Sequence, residues 1–199
     1  MSRPNFENLL KVLRREEPDR PTLFEFFLNT PLYNQLAGPQ IANMTDEMAW
    51  VRVLIHAFMN AGYDYVNLHG SSFHFPKNTV PQLKTRSLND GAIIFDGESF
   101  ESYSWPNPED FDYSILERVE QLLPDGMKVI VWGPGGVLEN VIDLVGYDNL
   151  CYMLFDDPGL TQDIFDAVGS RFVRYYEICA QYPSVGALIS NDDWGFKTQ

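Results

Sequence analysis

The residues best suited to chemistry follow apolar, β-branched runs of the sequence. Asp192 and Asp193 come at the end of the predicted strand at 185–192, and His69 comes near the end of the one at 63–70. Paired carboxylates at a strand end can act as general acid and base, bind a cation or orient a polar substrate. We therefore take Asp192, Asp193 and His69 as the candidate catalytic residues.

A second candidate is the stretch VIVWGPGGVLEN at 129–140, which predicts a strand, a proline-glycine corner and the start of a helix. Such a turn can direct backbone N–H groups toward an anion or a substrate oxygen. It is equally typical of a tight turn with no ligand, since glycine suits any position of positive φ. The predicted substrate-binding residues lie at this corner and near the other strand ends: Asn29, His74, Trp132, Gly135, Gly136, Glu139 and Trp194.

Each of these patterns also has a structural interpretation. Asp192 and Asp193 could cap a helix or lie in solvent. His69 and His74 are a weak metal pair, because zinc sites usually bring together three or four ligands. We therefore predict no metal ligands in this chain.

Four predicted strands position these residues, and helices separate the strands. The strands are predicted at 22–29, 63–70, 127–133 and 185–192, and the helices at 5–16, 45–62, 107–123, 136–145 and 149–155, with another from 157. This alternation predicts parallel βα units, in either a doubly wound sheet or a (β/α)8 barrel. Eight barrel strands need roughly 250 residues, so about four βα units correspond to half a barrel.

One stretch departs from this alternation of strands and helices. Residues 76–106 carry Asn-Asp-Gly and Asp-Gly turn signals flanked by alternating residues. That pattern predicts an antiparallel hairpin insertion. The predicted organisation is a single α/β domain over 1–199, with a leading helix at 1–17 and the hairpin inserted at 76–106.

Charge and hydropathy restrict the partners and the compartment. The chain has 28 acidic and 14 basic residues, a net charge of -14, which opposes binding to a nucleic-acid backbone. No apolar run approaches the ~20 residues of a membrane helix, and the charged N-terminus lacks the apolar centre of a signal peptide. We predict a cytoplasmic protein with no nucleic-acid or membrane partner. Cys151 and Cys179 lack CxxC spacing and are predicted to be buried thiols.

Four stretches together resemble the uroporphyrinogen decarboxylase superfamily, particularly its branch related to corrinoid-dependent methyltransferases. They are PDRPTLFEF, WGPGGVLEN, LVGYDNLCYMLFDDPGLTQDIFDAVGSRF and LISNDDWGFKTQ. The resemblance covers essentially the whole chain. It implies a (β/α)8 TIM barrel of the uroporphyrinogen decarboxylase type, of which this chain supplies the N-terminal portion.

The superfamily that the chain resembles holds two chemistries. Its decarboxylases act on uroporphyrinogen without a cofactor, using arginines after the first strand and an aspartate after the second. At those places this sequence has LNTPLYNQLAG, which contains no arginine, and HGSSFHFP, which contains no aspartate. Its methyltransferases move a methyl group between a corrinoid protein or a methylated substrate and a thiol. The resemblance therefore implies a methyltransferase-type enzyme, with a uroporphyrinogen decarboxylase or a non-catalytic binding protein as alternatives.

The resemblance also implies cofactors and partners. The methyltransferases activate the thiol with zinc bound in the second half of the barrel, so we expect zinc there and no cofactor in this chain. The corrinoid is expected on a partner protein, and the ligand is expected to be a small molecule or a tetrapyrrole. Half a barrel leaves open sheet edges and apolar faces, so we expect 199 residues alone to be inactive and to self-associate or need the missing half.

Overall fold

The computed structural model describes residues 3–78 and 87–192, which fall into two compact units. The first unit contains residues 3–71, 112–132 and 179–189. The second contains residues 72–78, 87–111, 133–178 and 190–192.

The first unit is built on a parallel sheet of three strands in the order β1-β2-β3: β1 (Tyr65–His69), β2 (Lys128–Trp132) and β3 (Val185–Ile189). In the register of β1 and β2, Tyr65 pairs with Lys128 and His69 pairs with Trp132. The central residues of β2 are apolar and buried, as expected for a strand with neighbours on both sides. These three strands confirm the predicted α/β class and three of the predicted strand positions.

Nine α-helices occur within the described residues. In chain order they are α1 (Glu7–Leu13), α2 (Thr30–Ala37), α3 (Pro39–Ala42), α4 (Ala49–Ala61), α5 (Gly97–Ser102), α6 (Ser114–Glu120), α7 (Val137–Val145), α8 (Tyr147–Asp156) and α9 (Pro158–Cys179), with a 3₁₀ turn at Pro108–Asp110. None of the helices in the described part of the chain is long and apolar enough to cross a membrane.

Helix α4 supplies much of the core of the first unit. Its apolar residues recur at helical spacing, and Ile55 and Phe58 are almost completely buried. The Phe58 ring contacts the rings of Tyr33 and Tyr65, at centroid distances of 6.0 and 5.8 Å. The helix ends at Gly62, whose φ of 94° is in the left-handed region that favours glycine.

The second unit has its own core, built largely from α7 and α9. Ile164, Val168 and Phe172 form a buried stripe on α9, and Leu144 on α7 is also buried. Cys151, in this unit, is half-buried, and Cys179, which belongs to the first unit, is buried.

The predicted first strand at 22–29 is wrong. The segment is irregular, and side chains of β1 bind its backbone where ladder bonds were expected. The Tyr65 hydroxyl accepts a hydrogen bond from Glu25 N (2.7 Å) and donates one to Glu25 O (2.8 Å). The Asn67 amide donates to the carbonyls of Glu25 (3.0 Å) and Phe26. These bonds satisfy backbone groups of Glu25 and Phe26 without a strand pair.

The predicted barrel and hairpin are also wrong. Residues 79–86 lie outside the described residues, but those described on either side contain no antiparallel pair and the sheet has three strands. Asp96 and Gly97, taken as a turn signal, begin α5: the Asp96 carboxylate accepts a hydrogen bond from Ser99 N at 2.9 Å. An Asp-Gly pair can serve as a helix cap as well as a hairpin turn, and here the cap is formed.

Candidate functional site

The candidate site in the first unit is a cavity of about 370 Å³ beside the carboxyl ends of β1 and β2, hereafter the aromatic cavity. His69 and Trp132 are register partners, and their rings stack at a centroid distance of 4.0 Å. The loop before α2, together with α2 and α4, supplies most of the remaining wall. The lining residues are Phe26, Phe27, Leu28, Thr30, Tyr33, Trp50, Leu54, Asn67, Leu68, His69 and Trp132.

Two perpendicular pairs of aromatic rings stand in the wall of the aromatic cavity. Phe26 meets Trp132 edge to face at 4.8 Å and 83°, and Tyr33 meets Trp50 in the same way at 5.6 Å and 87°. Such pairs are favourable because the positive edge of one ring meets the negative face of the other. His69 also stacks on Trp132, and Phe58 stacks on Tyr33, so neighbouring rings hold this wall in place.

Asn67 is the polar group buried in this wall, with 8% of its surface exposed. Its side-chain nitrogen donates to two backbone carbonyls, and this fixes which end of the amide is the oxygen. The Asn67 Oδ1 atom is buried and has no hydrogen-bond partner among the described residues. The Asn67 oxygen is therefore enclosed within the wall rather than exposed to the cavity, and its unmade hydrogen bond costs stability.

His69 is neutral at neutral pH. Desolvation lowers its pKa from the ordinary value of 6.5, and the backbone hydrogen bond with Trp132 opposes that change without reversing it. The neutral imidazole has one nitrogen able to accept a proton. None of the described residues that line the aromatic cavity is Lys, Arg, Asp or Glu. The described lining of the cavity thus offers aromatic and apolar surface and a weak base, and it offers no cation for a carboxylate.

The GPGG corner in the second unit is already occupied by the chain's own carboxylates. Glu139 Oε2 accepts from Gly136 N and Asp192 Oδ2 accepts from Leu138 N, each at 2.8 Å. Gly135, at a φ of 95°, makes the turn that brings Gly136 to the start of α7. A substrate anion would have to displace Glu139 or Asp192 to reach these N–H groups.

The other predicted site residues have local roles or lie elsewhere. The Asn29 side chain caps α2, accepting from Leu32 N at 3.0 Å. His74 belongs to the second unit, where its Nδ1 lies 2.9 Å from Ser72 O. Asp193 and Trp194 lie outside the described residues. The structure therefore brings His69 together with Trp132, and Asp192 together with the residues of the corner: Gly135, Gly136 and Glu139.

Sequence reasoning missed most of the aromatic cavity. Phe26 and Phe27 lie in a segment that was predicted as a buried strand, and Tyr33 lies in a helix that was not predicted. One signal was available: Asn67 is a polar residue within the apolar strand YVNLH. Buried asparagines generally have a specific hydrogen-bonding reason, so this position was a candidate.

The described residues do not provide a metal centre. Among them, no group of three or more His, Cys, Asp or Glu side chains could hold a metal ion. The zinc that the resemblance implies therefore has no fitting ligand set in this part of the chain.

Comparison with protein-family models, with curated proteins and with solved structures finds no match.

The corner gives a first stability prediction. Gly136→Ala is expected to lower the free energy of unfolding by about 2 kcal/mol, because the new Cβ would overlap the Asp192 carboxyl and the Asn191 carbonyl. Urea denaturation would measure the change. Gly169→Ala is the matched control, since its Cβ would meet nothing within 4 Å and alanine favours the helix. Equal stability of the two variants would contradict the overlap.

Proposed function

We propose that this chain holds a small methylated substrate for methyl transfer, as a protein related to the methyltransferase branch of the uroporphyrinogen decarboxylase superfamily. The sequence resemblance suggests the reaction class. The observation that carries the proposal is the aromatic cavity, whose described lining contains aromatic and apolar groups and no charged side chain. Methyl-bearing groups gain free energy from such a wall by leaving water and contacting the rings.

The same observation argues against the alternative substrate. Uroporphyrinogen carries several carboxylates, and binding them in a partly desolvated site requires cations or several N–H donors. The described wall of the aromatic cavity offers neither Lys nor Arg, and the Asn67 side-chain nitrogen already donates to two backbone carbonyls. The cavity therefore supports methyl transfer over decarboxylation.

The proposed reaction moves a methyl group to a thiol acceptor. The bond from the methyl carbon to its donor atom breaks, and the donor atom keeps the bonding electron pair. The thiolate sulfur supplies the pair for the new carbon–sulfur bond, so the transfer causes no net oxidation. The thiol proton passes to a base or to solvent, and neutral His69 is a base beside the cavity.

This chain's own residues contribute binding and orientation. The rings of Phe26, Trp132, Tyr33 and Trp50 line the cavity, where they would contact the methyl-bearing group and orient it. The zinc that the resemblance implies finds no ligand set among the described residues, and the contributions named here do not depend on it.

The expected inactivity of the 199 residues alone depended on the half-barrel prediction, which the three-stranded sheet contradicts. The test therefore uses the full chain, with methylcobalamin as methyl donor and 2-mercaptoethanol as acceptor, with and without added Zn²⁺. We expect 2-(methylthio)ethanol to form faster than without protein, as measured by mass spectrometry. Trp132→Leu is expected to lower that rate at least about tenfold, and Tyr152→Leu, which removes an exposed ring of the second unit, is the matched control. The proposal would be overturned if no protein-dependent thioether formed either with or without Zn²⁺. Turnover of uroporphyrinogen would replace it with decarboxylation.

A further inference from the structure

The second unit carries an apolar groove of about 580 Å³, hereafter the helix groove. Helices α8 and α9, which are separated only by Asp157, form most of its walls, and α7 adds one residue. The lining residues are Leu138, Leu150, Leu154, Pro158, Thr161, Gln162 and Phe165. The described lining of this groove is therefore mostly apolar and contains no charged side chain.

The spacing of the lining residues fits a third helix. Leu150 and Leu154 lie four positions apart on α8. The lining residues of α9 recur every three or four positions: Pro158, Thr161, Gln162 and Phe165. Each wall is therefore one stripe of a helix, which repeats about every 5.4 Å along the helix axis. The side chains of another helix have the same repeat, so its apolar residues at i, i+3, i+4 and i+7 can pack between the two stripes.

Large apolar side chains on α8 are exposed at the helix groove and next to it. Leu154, in the lining, is 52% exposed, and its neighbour Phe155 is 87% exposed. Tyr147, one helical turn before the lining residue Leu150, is also exposed. Grouped apolar side chains on a surface are typical of a site that another molecule covers.

The charges around the helix groove favour a basic partner. Residues 137–170 include the whole described lining and contain no Lys, Arg or His. Their acidic residues are Glu139, Asp143, Asp148, Asp156, Asp157, Asp163 and Asp166. Two of these flank the α9 stripe: Asp157 precedes Pro158, and the Asp166 carboxylate accepts a hydrogen bond from Gln162 at 2.9 Å. An apolar groove with carboxylates beside it is complementary to an apolar stripe with cations beside it.

We infer that the helix groove binds a basic amphipathic helix of a partner protein. The apolar side chains of that helix would fill the groove, and its Lys or Arg residues would lie near Asp157 and Asp166. A second copy of this chain fits less well, because two copies with a net charge of -14 each repel one another. Binding at this groove is separate from the proposed methyl transfer, since the groove and the aromatic cavity belong to different units.

The test compares two model peptides that share one apolar pattern and differ in the sign of their charge. The first consists of two repeats of Leu-Lys-Lys-Leu-Leu-Lys-Leu, and the second has glutamate at every lysine position. Binding of each peptide to the full chain at pH 7 would be measured by isothermal titration calorimetry. We expect the lysine peptide to bind at least about tenfold more tightly than the glutamate peptide, and added NaCl to weaken its binding by screening.

Two pairs of variants locate the bound peptide. Leu154→Ser is expected to lower the affinity for the lysine peptide at least about fivefold, because it removes an apolar contact. Val173→Ser is the matched control, since Val173 is a similarly exposed residue of the second unit outside the groove. Asp166→Asn is expected to weaken binding more than Glu120→Gln, which removes the same charge from an exposed position of the first unit.

Several outcomes would overturn the assignment of a basic helix to the helix groove. They are equal affinities for the two peptides, no binding of the lysine peptide, equal effects of Leu154→Ser and Val173→Ser, and equal effects of Asp166→Asn and Glu120→Gln. Sedimentation velocity of the chain without peptide tests the other occupant, because a dimer that Leu154→Ser dissociates would assign the groove to a second copy and overturn the inference. None of these results would affect thioether formation from methylcobalamin, which tests the proposed function separately.

Discussion

Replacing Arg20 by leucine is expected to lower the free energy of unfolding by about 3 kcal/mol. Asp64, just before β1, is only 3% exposed. Its carboxylate accepts a hydrogen bond from Asn5 N at 2.7 Å and forms an ion pair with Arg20. Loss of the guanidinium would leave a buried carboxylate with a single neutral donor, and the cost of an unpaired buried charge is far larger than the gain from a new apolar side chain.

Chemical denaturation monitored by circular dichroism would measure this change. Arg118→Leu is the matched control because it breaks a two-point pair with Glu47, at 2.6 and 2.8 Å, on the surface. Exposed ion pairs add little to stability, so this variant should unfold close to the parent protein. Similar losses of unfolding free energy in both variants would contradict this prediction, because the burial of Asp64 would then not determine the energetic cost.

Between pH 10 and pH 12 the folded protein is expected to lose about 3 kcal/mol of stability for each of Tyr65 and Tyr103. Burial raises the pKa of both phenols from 10.0 to about 12. Below pH 10 both phenols are protonated whether the chain is folded or not, so their contribution is constant. Above pH 10 the unfolded chain ionises first, which favours unfolding until the folded phenols also ionise near pH 12.

A pH series of urea denaturations, with tyrosinate absorbance followed in parallel, would test this. Tyr65→Phe and Tyr103→Phe remove the ionisable group, so each should flatten the decline between pH 10 and pH 12 after allowance for its lost hydrogen bonds. Tyr152→Phe, at a side chain that is 69% exposed, should leave the slope unchanged. Ionisation of Tyr65 and Tyr103 near pH 10 in the folded protein would contradict the effect of burial.

The parts of the fold that were predicted from the sequence are those with strong local signals. The helical spacing of α4 and its end at Gly62, and the start of α9 at Pro158, follow from periodicity and from residues that end or begin helices. The run MKVIVW predicts β2 because its β-branched residues suit a buried strand. The same reasoning failed at 107–123, where a 3₁₀ turn and α6 replace one helix.

Segment 22–29 shows why local signals were insufficient. Its apolar alternation is compatible with a strand, and strand formation also requires a neighbour with free backbone groups. Here Tyr65 and Asn67 bind the backbone through their side chains, a tertiary arrangement that no window of neighbouring residues encodes. The barrel prediction depended on this strand and on continued βα pairing, so it failed with it.

Only part of the candidate site could be predicted from the sequence. His69 and Trp132 were named because the ends of parallel strands meet at one edge of a sheet, and their register confirms that they are neighbours. Tyr33 and Trp50 reach the aromatic cavity from α2 and α4, where an aromatic residue at helical spacing resembles ordinary core. Their contribution depends on how two helices pack together.

The strands that form the ladder are far apart along the chain, since Tyr65 pairs with Lys128 and Val129 pairs with Val185. During synthesis β1 therefore leaves the ribosome long before β2 exists, whereas α2 and α4, which contact each other, are already complete. Pairing across a long intervening segment is slow because closing that loop costs chain entropy. Each nascent chain consequently carries β1 as an unpaired apolar strand for a time. We expect chaperones that shield such strands to assist its folding.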